Sequence, residues 1–276
     1  MSGKGQGMAD GLVKAVIFDW AGTVVDFGSR APMGAFVEVF RRFGVDISID
    51  EARVPMGLPK WDHIRALGTI PRVAEAWAKA KGAAFSDADV DAIYEVFVPL
   101  NAEVVTDHAD LIPGVRETVA ALRDRGVRIG STTGYTREIM GRLVPLAAEQ
   151  GFAPDNLVCA GDLPEGRPGA LMMYKTFLDL QVWPASACIK VDDTEPGIAE
   201  GLAAGTWTVG VAASGNAMGL SREEADGLDA AEYLDRYEAA ERRLFRAGAH
   251  FVVESVADLM GVVDEIEGRL LRGERP

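Results

Sequence analysis

The sequence has 276 residues and a formal net charge of −14 at pH 7, which argues against a nucleic-acid or anionic-membrane partner. Its 48% hydrophobic and 25% charged residues are those of an ordinary globular chain, long enough for one large domain or two unequal ones. Two cysteines, Cys159 and Cys188, are too few for a disulfide framework. With a polar, Gly-rich start and no apolar run approaching ~20 residues, the chain is expected to be cytoplasmic.

The apolar run from Leu12 to Phe18 predicts a strand that delivers Asp19 to its carboxyl end, followed by a tight turn at Ala21, Gly22 and Thr23. The next eighty residues read as helical. Met33, Phe36, Val37 and Phe40 recur at helical spacing up to Gly44, and further helices are predicted over 60–68, 71–81 and 87–104. Ser86 with Asp89 three residues on forms a capping-box-like start for the last of these. From Pro113-Gly114 strands and helices alternate. A strand at Val127–Gly130 runs into the hydroxyl cluster Ser131-Thr132-Thr133-Gly134, and later strands are expected at 156–159, 187–191, 206–211 and 250–253. Residues 212–222 read as a Gly/Ser-rich loop, and Tyr233, Tyr237, Ala240 and Leu244 mark a long charged helix. This alternation predicts a parallel, doubly wound sheet, with residues 29–107 as a helical insertion.

Asp19, Thr133 and Asp193 then stand at strand ends, with Arg167 on the loop after a fourth strand. In a parallel sheet those ends share one edge, where ligands bind. An acid, a hydroxyl, a cation and a second acid in this order resemble the haloacid dehalogenase superfamily. The resemblance implies a doubly wound, Rossmann-like core over 11–28 and 108–270 and an inserted α-helical cap domain over 29–107. It also implies that Asp19 attacks phosphorus and that magnesium is bound by the acids.

The phosphatases of that superfamily carry Asp-x-Asp, the second Asp protonating an alcohol leaving group. Here that position is Ala21, so an ester's alkoxide would have to leave unaided. The segment Met56-Gly57-Leu58-Pro59-Lys60-Trp61-Asp62-His63 offers another device. Pro59 suits a helix start, placing Lys60 in the first turn, where the helix dipole disfavours an ammonium, with His63 on the same face. At a reference pKa near ~10.4 only about one lysine in ~2,500 is neutral at pH 7, a preparation cost of ~4.6 kcal/mol. A helix terminus and burial under a closed cap would lower it. The plainer reading is a solvated lysine and a packing histidine.

Together with Gly130–Glu138, Gly166-Arg167-Pro168 and Trp207-Thr208-Val209-Gly210, these motifs resemble the phosphonoacetaldehyde hydrolase (phosphonatase) family over about Val13 to Met260. That resemblance implies a carbon–phosphorus hydrolase. Lys60 would form an imine with the substrate aldehyde, Asp19 would take the phosphoryl group, and a carbon leaving group delocalised onto the iminium would need no acid at Ala21. It further implies Mg2+ on Asp19, Asp193 and the Ala21 carbonyl. Thr133, Arg167 and the Gly22 amide would contact the phosphonyl oxygens, Met56, His63 and Tyr135 would surround the imine, and His63 is the candidate for proton transfers. A homodimer through the cap is expected.

Many superfamily members carry a second acid four residues after the metal-binding Asp, and that position is Gly197 here, which leaves Asp192 or Glu195 to support the metal. Lys175 is a weaker phosphate contact than Arg167, and Asp26 is expected at the hinge. A dehalogenase would also dispense with the second Asp but gives Lys60 and Asp193 no purpose. A non-catalytic anion-binding protein would show no turnover.

Overall fold

The computed structural model describes residues 11–276, so the polar start read in residues 1–10 lies outside the described residues. Strand β1 (Ala15–Phe18) leads into the cap, which holds α1 (Ala31–Arg42), α2 (Ile49–Arg53), α3 (Lys60–Thr69), α4 (Pro71–Lys81) and α5 (Asp87–Val104). The chain returns through α6 (Val115–Asp124), β2 (Arg128–Thr136), α7 (Arg137–Gln150), β3 (Val158–Ala160) and α8 (Leu171–Leu180). It then forms β4 (Cys188–Asp192), α9 (Glu195–Ala204), β5 (Trp207–Val211), α10 (Arg222–Asp226), α11 (Ala230–Arg246), β6 (Phe251–Val253) and α12 (Leu259–Leu271).

All strand pairs are parallel, and the order is β3-β2-β1-β4-β5-β6. The order reverses at β1, whose neighbours are β2 and β4, so Asp19 leaves the sheet at the switch point where a crevice opens. Phe18 is in register with Ser131 and with Val191, and the Asp19 amide donates to the Val191 carbonyl at 3.0 Å. The strands are buried on both faces, which explains why they read as continuous apolar runs.

The two largest of four buried apolar clusters pack separately. One packs Val16, Phe18, Ile129, Val191 and Val209 of the sheet against Val119, Leu143 and Val263 of α6, α7 and α12. The other lies wholly in the insertion and joins Phe36, Phe40, Ile64, Trp77, Ile93 and Phe97.

Strand β2 runs to Thr136 rather than ending at Gly130. Ser131, Thr132 and Thr133 are buried; Ser131 pairs with Phe18 of β1, and Thr132 and Thr133 pair with β3, with a register break between Thr133 and Thr136. A run of hydroxyls looks like a turn in sequence, but β-branched threonines suit a strand when side-chain partners satisfy their hydroxyls. The short helices α2 and α10 carry no periodic apolar signal. Each is announced by a capping box, Ser48 with Glu51 and Ser221 with Glu224.

Candidate active site

Asp19, Ala21, Ser29, Met56, Gly57, Lys60, Thr133, Tyr135 and Arg167 line one small cavity between the sheet edge and the helical insertion. Each side chain arrives for a local reason. The β1 hydrogen-bond ladder carries Asp19 to the sheet edge, and the left-handed turn at Gly57 followed by Pro59 begins α3 at Lys60. Lys60 is 3% exposed, with Nζ 4.9 Å from the centre of the Tyr135 ring and 5.7 Å from that of Phe36. Burial pulls its pKa down to about 8, partly opposed by the Asp19 carboxylate. At that value about one lysine in ten is neutral at pH 7, and preparing the amine costs about 1.4 kcal/mol.

Behind the cavity lies a buried ion network. The Arg167 guanidinium donates to Asp19 Oδ1 at 2.7 Å and to Glu200 Oε2 at 3.1 Å. Lys190, fully buried in β4, donates to Thr132 Oγ1 at 2.7 Å and lies 3.2 Å from Glu200 and 3.1 Å from Asp192. Asp192 Oδ1 accepts from the Thr194 amide and hydroxyl, while its Oδ2 is within ion-pair distance of Arg167 and Lys190 without the alignment of a hydrogen bond. Arg167 stays charged, and those cations hold the Asp192 carboxyl below its usual range although burial opposes this.

Lys190 and Glu200 escaped the sequence reading. The signal was a lysine in the middle of an apolar strand, and a buried lysine requires a counter-charge.

Asp19, Asp192 and Asp193 offer carboxylate oxygens within 4.8 Å of one another. Burial and then the neighbouring Asp19 and Asp192 charges push Asp193 well above the ordinary carboxyl range, and burial raises Asp19 to about 6. Buried acids that crowd one another in this way, with the Ala21 carbonyl accepting no hydrogen bond among the described residues, fit a hard divalent cation such as Mg2+. Asp193 is aligned by the Asn216 amide, which donates to Oδ2 at 2.7 Å, and Thr23 Oγ1 lies 3.4 Å from Oδ1.

Gly197 lacks an acid because there is no room for one: a Cβ there would sit 1.9 Å from the Asp192 carboxylate carbon. Asp192 occupies that space and is committed to Arg167 and Lys190. Glu195 pairs with Arg243 at the surface, 2.8 Å away.

Other expected residues fall differently. The Gly22 amide donates within its own turn, to Val25 O at 2.8 Å and Asp26 O at 3.1 Å, so this donor is engaged and does not face the cavity. His63 shares the Lys60 helix but does not line the cavity. It is fully buried, stacks on Phe36, and donates from Nε2 to the Ala52 carbonyl at 2.8 Å, which leaves Nδ1 as a lone-pair acceptor without a partner. Burial and the nearby Lys60 charge hold it neutral. The Tyr135 hydroxyl is also buried without a partner, and burial keeps the phenol protonated. Lys175 pairs with Asp179 on the exposed side of α8. Asp26 accepts from the Arg30 and Ala31 amides at 2.9 Å and so ties down the start of α1.

The model of the haloacid dehalogenase-like hydrolases matches residues 13–205. A protein named phosphonoacetaldehyde hydrolase from Paraburkholderia phytofirmans is 60% identical over 264 residues, which covers 96% of this chain and 99% of that one. One of the same name from Klebsiella pneumoniae is 50% identical, with 96% and 99% covered. Among solved structures, a phosphonoacetaldehyde hydrolase-like protein from Oleispira antarctica superposes over the full length of both chains with a TM-score of 0.95 at 44% identity.

Proposed function

Because the chain belongs to the haloacid dehalogenase-like hydrolases, and within them to the phosphonoacetaldehyde hydrolase family, we propose that it hydrolyses the carbon–phosphorus bond of phosphonoacetaldehyde. The products are acetaldehyde and phosphate, which makes it an enzyme of phosphonate degradation. The observation that carries this reading is the meeting of Lys60 from the cap and Asp19 from the core in one cavity, beside an Ala21 that offers no acid.

In the proposed mechanism the neutral Lys60 Nζ adds to the aldehyde carbon, and loss of water leaves an imine. Its protonated form is an electron sink. The Asp19 carboxylate attacks phosphorus, and the electron pair of the breaking carbon–phosphorus bond moves into an enamine. Water cleaves the aspartyl-phosphate and restores Asp19. Protonation of the enamine carbon and hydrolysis of the imine release acetaldehyde and free Lys60. No alkoxide departs, so the missing acid at Ala21 leaves no step without a catalyst.

Thr133 and Arg167 are proposed to bind the phosphonyl oxygens, and Met56 and Tyr135 to wall the imine and exclude water. His63, neutral and with a free Nδ1 lone pair, is the proposed proton relay. Magnesium held by Asp19, Asp193 and the Ala21 carbonyl would supply positive charge against the phosphonyl oxygens. A dehalogenase reading gives Lys60 and the Asp193 cluster no task.

The reading extends to a cytoplasmic homodimer through the cap, for which the exposed Ile49 and Val54 offer apolar surface. Among the described residues no helix is long and apolar enough to cross a membrane. The test is product analysis. Purified protein with magnesium and phosphonoacetaldehyde should release acetaldehyde and phosphate in equal amounts, and phosphate release from simple esters with none from the phosphonate would overturn the reading.

A further inference from the structure

Arg53 ends α2 in the cap, yet its guanidinium bonds only to groups outside the cap helices. Nη1 donates to Gly28 O at 2.8 Å and Asn216 Oδ1 at 3.1 Å, with Ser29 O at 3.4 Å, and Nη2 donates to Gly219 O at 2.8 Å. Gly28 and Ser29 form the first cap–core linker, and Asn216 and Gly219 belong to the loop after β5. Gly219 has φ +65°, and a Cβ there would lie 2.7 Å from the guanidinium, so this loop is shaped around the arginine.

The same loop holds the active site. The Asn216 amide donates to Asp193 Oδ2 at 2.7 Å, Ser214 Oγ donates to Gly22 O at 3.0 Å, and the Gly28 amide donates to Ser214 O at 2.7 Å. Three and four residues beyond Arg53, Met56 and Gly57 line the cavity beside Lys60.

We infer that Arg53 is a positioning residue, a latch that ties closure of the cap over Lys60 to the alignment of Asp193 through the loop at 214–219. Its acceptors are neutral carbonyl and amide oxygens, and no carboxylate lies within ion-pair distance among the described residues. The planar fork can therefore engage several acceptors at once when the cap is closed and return to water when it opens, without separating an ion pair. A cap in a closed–open equilibrium is biased by whatever bonds exist only in the closed state, and the latch requires the Arg53 bonds to Asn216 and Gly219 to be of that kind. The link from closure to turnover rests on the function proposed above.

The test is Arg53→Met, read in two ways. The first is kcat on phosphonoacetaldehyde, expected to fall on the order of tenfold to a hundredfold because the reacting groups no longer meet in register. The second is the rate at which formaldehyde and cyanoborohydride methylate Lys60, expected to rise on the order of tenfold as the open population grows. Either change without the other, or neither beyond about twofold, overturns the latch, since a merely structural arginine would not move both. If Arg53→Met does not fold, Arg53→Gln is judged by the same two readings. If the native enzyme does not cleave the phosphonate, the functional reading falls, and the labelling rate alone then decides the latch.

Discussion

Lys60 shows how a side chain acquires reactivity from its surroundings. With its pKa at about 8, the neutral amine increases as pH rises through that value, so the initial rate of imine formation with an aldehyde should climb up to about pH 8 and level off above it. Trapping rates measured between pH 6 and 10 check this, and a climb that continues to pH 10 would assign Lys60 an ordinary solvated value. Lys60→Arg keeps the charge but provides no amine nucleophile at neutral pH, so cleavage should be abolished in a phosphate-release assay. Gly197→Asp would drive a further carboxylate into the space filled by Asp192 and should lower stability by about 3 kcal/mol, read as a fall in the thermal midpoint. Ala21, Lys60 and Arg167 were legible in the sequence because their spacing is local. Lys190 and Glu200 were not, since they meet only when β4 and α9 pack together.

Among the elements, the two linkers that join the helical insertion to the core meet at Asp26. Asp26 on the first linker accepts from the amides that begin α1, and His108 on the second lies 3.3 Å from its carboxylate. The hydrogen bond to Asp26 holds the His108 pKa above 6.5. A raised value contributes stability that is fully present below about pH 6.5 and is lost as pH rises through the folded-state pKa. The thermal midpoint of His108→Gln should therefore fall short of the native one below pH 6 and converge with it at alkaline pH. The gap should stay below about 1 kcal/mol, because the imidazole is partly exposed. Helix boundaries in the cap were legible from apolar spacing and capping residues, and α4 and α5 begin and end where they were read. The extension of β2 was not, because only its pairing with β3 distinguishes a buried threonine run from a turn.

For the whole molecule, the fold brings an amine and a carboxylate from two separately packed parts of the chain into one cavity, in a chain whose net charge of −14 repels phosphonates. Arg167 and the amine must act locally against that field, and a divalent cation held by the crowded Asp19–Asp193 pair would relieve it. Removing magnesium with EDTA should abolish phosphate release, magnesium should restore it, and imine formation on Lys60 should persist throughout because the amine belongs to the cap. That the sheet is parallel, and so that the strand ends share one edge, was implied by the alternation of strands and helices; the strand order, with its reversal at β1, was not. How the insertion is held to the core was not, since two of the Arg53 acceptors, Asn216 and Gly219, lie more than 160 residues away in the sequence. The account turns on covalent attachment of the substrate to the cap. Borohydride reduction during turnover of phosphonoacetaldehyde, followed by peptide mapping, should place a two-carbon adduct on Lys60 with parallel loss of activity; an unlabelled Lys60 under conditions that give turnover would contradict it.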